Sequence, residues 1–101
     1  MAFVKIAKIG DISSGTTKAF EVGDRVVVLC NVQGEYFAVD DVCTHDEGSI
    51  GDGILDGCEI ECPRHGARFD VRTGEVKALP AVVPVDVFTV RVEGDDIEVE
   101  I

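Results

Sequence analysis

Arg25-Val26-Val27-Val28-Leu29-Cys30-Asn31-Val32 is the run on which the fold turns. Its residues are apolar and largely β-branched at consecutive positions, so neither face is reserved for water. This predicts a central strand covered on both sides. Gln33-Gly34 then supplies a turn into a return strand over residues 35–39, and Thr17–Val22 reads as a short strand before it. Further out, apolar and basic residues interleave over 3–9 as a first strand, and the Asp, Ser and Gly of 10–15 turn the chain. At the other end, Phe88, Val90 and Val92 alternate with Thr89 and Arg91. Gly94-Asp95 closes a hairpin there, whose return strand buries Ile97, Val99 and Ile101 and exposes Asp96, Glu98 and Glu100. Nowhere do apolar residues recur at helical spacing for three turns. The expected fold is all-β, an antiparallel β-sandwich or barrel of six or more strands.

A chain of 101 residues suits a single domain spanning 1–101. Its 11 glycines and 3 prolines, against one Met and no Trp, agree with short strands joined by tight turns. The formal net charge of −11 argues against nucleic acid, whose phosphates require Lys and Arg to displace counterions. A basic protein partner suits such a surface better, although acidity also serves solubility alone. No apolar run approaches the length that spans a bilayer, and residues 1–8 lack the apolar core of a signal peptide. We therefore expect a cytoplasmic monomer with no membrane association. In a reducing compartment four cysteines point to metal or redox use before disulfides. Cys30 and Cys58 read as packing residues, with a Cys30–Cys58 disulfide as the disfavoured alternative.

Between the outer strands lies a stretch of loops and short strands, among them Glu59–Glu61 and residues 68–71. Residues 46–57 are rich in Gly and Asp, yet match neither a dinucleotide fingerprint nor an EF-hand, so they read as turn chemistry. Two pieces of this stretch stand out. Cys43-Thr44-His45 and, sixteen residues on, Cys62-Pro63-Arg64-His65 each carry one thiol and one imidazole, and these are the only two histidines in the chain. Loops facing each other would present both pairs to one inorganic centre. Thiolate with imidazole suits an iron–sulfur cluster or zinc, not calcium or magnesium. A zinc-stabilised interaction module stays open, but zinc fits less well, because each loop mixes the two ligand types and the first spacing is tighter than usual.

The pattern C-x-H followed by C-x-x-H resembles the Rieske iron–sulfur family, in which two His replace two Cys on one iron. Gly66 and the segment from Pro80 to Pro84 also match that family's second loop and its covering loop. The resemblance implies one [2Fe-2S] cluster bound by Cys43, His45, Cys62 and His65, in a subdomain of roughly residues 40–70. The cysteines would hold the buried iron, and the histidines the outer one. Two thiolates leave the oxidised centre neutral, which raises its potential above that of four-thiolate clusters, and the imidazole protons should couple the potential to alkaline pH.

Departures from the family pattern also inform. The resemblance implies that high-potential respiratory members carry a bracing disulfide where this chain has Gly48 and Arg64, and hydroxyl donors where it has Ala67 and Phe69. A low potential is therefore expected. The nearest group is the soluble Rieske-type ferredoxins, electron carriers and not enzymes, which take one electron from a flavoprotein ferredoxin reductase to a terminal oxygenase. The small subunit of a nitrite reductase is the alternative within the family. Arg64 and Arg68 read as solubility residues or as groups that tune potential and touch a partner. Pro80-Ala81-Val82-Val83-Pro84 reads as a strand connection or as an apolar docking patch.

Overall fold

In a computed structural model the chain is described over residues 2–44, 48–51, 53–64 and 66–101. The expected central strand is β3 (Arg25–Val32), and the alternation of its side chains explains its composition. Val27 and Leu29 enter a core with Ala7, Ile12, Ala38, Ile97 and Val99. Val28 and Cys30, on the opposite face, enter a second core with Val39, Cys43, Ile50, Ile60, Cys62, Phe69 and Ala81. With successive residues pointing to opposite faces, a strand filled by β-branched residues can serve two cores at once.

Three antiparallel sheets surround these cores among the described residues. The first has the order β1 (Phe3–Lys8), β11 (Asp96–Glu100), β10 (Val90–Glu93). In the second, β2 (Thr17–Val22) is followed by β3, β4 (Glu35–Asp40) and β9 (Val87–Phe88). The third runs β5 (Ile54–Asp56), β6 (Glu59–Glu61), β7 (Arg68–Asp70), β8 (Val76–Ala78). No described residue is helical. The all-β, antiparallel expectation holds, and the Gln33-Gly34 turn has both residues at positive φ, 53° and 91°, as a two-residue hairpin requires.

Three readings are corrected. The alternating run from Phe88 to Val92 is not one strand. Phe88 pairs with Ala38 in the second sheet, and after Thr89 the chain crosses to pair Val90 with Val99 in the first. Period-two alternation is continuous across such a crossing, so the sequence pattern conceals it. The Gly- and Asp-rich stretch 46–57 is not all turn, because Ile54–Asp56 is a strand paired to β6. Three residues are too short to display alternation, and pairing with β6 supplies the order. Asp96, Glu98 and Glu100 are half-buried where exposure was expected, with Lys5 paired to Asp96 and Arg91 to Glu98, and Ile101 is half-buried where burial was expected.

Candidate metal centre

The first motif leaves the end of β4 and bends at once. Asp41 is tied to β3 by its amide, which donates to the Val26 carbonyl at 3.0 Å. Its carboxylate accepts from the Ser49 hydroxyl and from the amides of Ile50 and Gly51, at 2.9 and 2.7 Å. Within that enclosure the Cys43 amide donates to the Gly48 carbonyl at 2.7 Å, and the Cys43 side chain is fully buried. One carboxylate thus fixes the far end of the loop that begins with Cys43. A lone Asp carries no spacing signal, so Asp41 was not legible as a site residue.

The second motif joins β6 to β7. The Cys62 amide donates to the Ala67 carbonyl at 2.7 Å, and the Gly66 amide returns to the Cys62 carbonyl at 3.1 Å. Gly66 sits at φ 76°, a left-handed turn that a side chain disfavours. Cys62 is buried, as are Ala67 and Phe69 behind it. A third segment adjoins the first loop. The Thr44 hydroxyl donates to the Val83 carbonyl, Ala81 fills the core, and Val85 bonds to the Gly74 carbonyl at 2.9 Å. Leu79, Val82 and Val83 are 75%, 76% and 53% exposed, an apolar rim on this segment.

Of the predicted ligands, Cys43 and Cys62 are brought into one buried cluster, while His45 and His65 lie outside the described residues. None of the four cysteines is disulfide-bonded, so Cys30 and Cys58 are not linked. Cys30 behaves as packing: burial pushes its thiol up to about 12, which keeps it neutral and inert. The arginines divide. Arg68 bridges Asp56, Glu59 and Glu61 at 3.0 to 3.3 Å across the third sheet, and these bonds hold its pKa above the usual value. Arg64 reaches from the second loop to the Ser49 carbonyl of the first at 2.7 Å.

These residues fit a metal–sulfide centre. Two thiols from separate loops enter one apolar cluster with Ile50, Ile60, Phe69 and Ala81 around them. An isolated thiolate is costly to bury there, and coordination to a cationic iron offsets that cost. The sequence profile of the Rieske [2Fe-2S] domain matches residues 2–89. The chain belongs to the Rieske [2Fe-2S] family. This family's cofactor is a [2Fe-2S] cluster, as the donor set anticipated. The ferredoxin component of biphenyl 2,3-dioxygenase from Rhodococcus jostii (strain RHA1) is 45% identical to this Rieske chain over 101 residues, covering 100% of it and 94% of the relative. Among solved structures, the ferredoxin of carbazole 1,9a-dioxygenase from Nocardioides aromaticivorans IC177 superposes with a TM-score of 0.93 at 36% identity, covering 98% and 97% of the two chains. A second match is to the complex of reduced oxygenase and oxidized ferredoxin in carbazole 1,9a-dioxygenase, with a TM-score of 0.90, 36% identity and coverage of 96% and 91%.

Proposed function

We propose that this Rieske protein is the ferredoxin component of a multicomponent oxygenase, carrying single electrons from a flavoprotein ferredoxin reductase to a terminal oxygenase. The carrying observation is the burial of Cys43 and Cys62 together, on separate loops of a chain similar along its whole length to a dioxygenase ferredoxin. Cys43, His45, Cys62 and His65 are the ligands of one [2Fe-2S] cluster. When bound, the cluster takes up and releases one electron at a time. The protein's share of the work is to bind and position. Asp41 and the Cys43–Gly48 bond hold the first loop, the Cys62–Ala67 and Gly66–Cys62 bonds hold the second, and the buried surroundings keep water from the thiolates.

Several finer features belong to the same reading. The potential is low, because Ala67 and Phe69 place no hydroxyl beside the second loop. Residues of roughly 40–70 form a cluster-binding subdomain of one domain spanning 1–101. The protein is not itself an enzyme, and it works in the cytoplasm as a monomer. Leu79, Val82 and Val83 supply the apolar contact for brief docking.

Metal and sulfide analysis tests the reading most directly. The purified protein is expected to be red-brown, with iron and inorganic sulfide in equal amounts, and to mediate reduction of an oxygenase by a ferredoxin reductase. His45→Ala and His65→Ala should each lose the cluster. A colourless protein holding zinc would reject the proposal, and a variant that kept the normal spectrum would remove that histidine from the ligand set.

A further inference from the structure

Arg64 and Gly48 meet where the two loops adjoin. A Cβ built on Gly48 would lie 2.6 Å from Nη2, 2.7 Å from Cζ and 3.0 Å from Nε of Arg64. One side of the guanidinium therefore occupies the space that a side chain at 48 would need. Its other terminal nitrogen, Nη1, donates to the Ser49 carbonyl at 2.7 Å. Both contacts fall on the closing segment of the first loop, where Gly48 accepts the Cys43 amide and Ser49 bonds to Asp41. Arg64 itself stands two residues after Cys62. Gly48 is not among the glycines with positive φ, so its backbone does not demand glycine. What a side chain at 48 would meet is the guanidinium end of Arg64, which it would push aside.

We propose that Arg64 is a positioning residue, a cationic clamp that fixes the Cys43 loop against the Cys62 loop and so sets the spacing of Cys43 and Cys62. The proposal rests on the cluster reading above. A planar fork bonded to a carbonyl and seated on bare backbone is constrained in direction as well as distance, which a solubility residue has no need to be. Lysine keeps the charge at this position but cannot fill the same surface or hold the same direction.

The test uses the full-length, cluster-loaded protein and compares wild type with Arg64→Ala, Arg64→Lys, Gly48→Ala and the Gly48→Ala/Arg64→Ala pair. Alanine at 48 displaces the guanidinium while leaving its charge in the molecule. Release of iron to a ferrous chelator, the electron paramagnetic resonance spectrum of the reduced protein, and the reduction potential are measured. Arg64→Ala and Gly48→Ala should each release iron about tenfold faster, the scale of one lost charge-assisted hydrogen bond. Each should also broaden the resonance. The pair should be no faster than Arg64→Ala alone, since both substitutions remove one contact. Arg64→Lys should keep the potential while recovering only part of the retention, which separates clamp from charge.

Release within twofold of wild type and an unchanged resonance in both single variants would overturn the clamp. So would additive acceleration in the pair, because alanine at 48 would then act through its own bulk. Should Arg64→Ala fail to assemble, Gly48→Ala carries the same expectations with the arginine present. Wild-type protein lacking iron and sulfide would instead sink the cluster reading, a distinct result seen before any variant is compared.

Discussion

Ala67 differs from serine by one hydroxyl, and that difference bears on the potential. It is fully buried beside Cys62, whose amide it accepts. Ala67→Ser adds a donor there, and a hydrogen bond to sulfur stabilises the electron-richer reduced state. At roughly 1 kcal/mol, such a bond raises a one-electron potential by about 40 mV. Voltammetry of the variant measures this directly, and an unmoved potential would show that position 67 does not govern it. Asp70 has a structural part at the end of β7. Its carboxylate is buried and bonds the side chain and amide of Arg72 at 2.8 Å each. The Arg72 side chain, ahead of its amide, holds the Asp70 pKa below its ordinary value against the opposing effect of burial. A folded pKa below the unfolded one contributes stability that is complete above the unfolded value of about 3.9 and is lost as pH falls through the folded one. Asp70→Asn should therefore destabilise the protein by roughly 1 kcal/mol at neutral pH. Urea titrations should show that gap closing in strong acid.

Because β3 divides its side chains between two cores, damage to either core has a separate signature. Leu29 and Ile60 are both fully buried, Leu29 in the core with Ile97 and Ile60 in the core with Cys43 and Cys62. Truncating either to alanine should cost about 2–5 kcal/mol. Iron release in the native state should quicken only for Ile60→Ala, and equal release from both would mean that the cores do not act separately. β3 was legible because eight consecutive residues carry its pattern, and its hairpin partner β4 because six do. β5, β8 and β9 have two or three residues each and take their order from neighbours that the local sequence does not name. The same divide runs through the site. Cys43 and Cys62 announce themselves by type and spacing, whereas Asp41, Thr44 and Arg64 act through bonds to backbone carbonyls and amides that leave no motif.

A chain with 20 acidic and 9 basic side chains carries a long-range negative field that a basic partner would meet before contact. Electron transfer from a reductase with a basic docking face should slow as ionic strength rises, since at about 0.1 M salt that field is screened beyond roughly 10 Å. Stopped-flow rates across a salt series test this. A rate independent of salt would leave the apolar rim at Leu79, Val82 and Val83 as the whole of recognition. The contact between Arg64 and the Gly48–Ser49 backbone also has a chemical consequence. A guanidinium held on a carbonyl is not a redox couple, so no thiol in the surroundings can unfasten it by reduction. Where a sulfur–sulfur link would need an oxidant to form and a reductant-free medium to last, this fastening is indifferent to both. A phosphine reductant, which cleaves sulfur–sulfur bonds without supplying a thiol to compete for iron, should therefore leave iron retention unchanged.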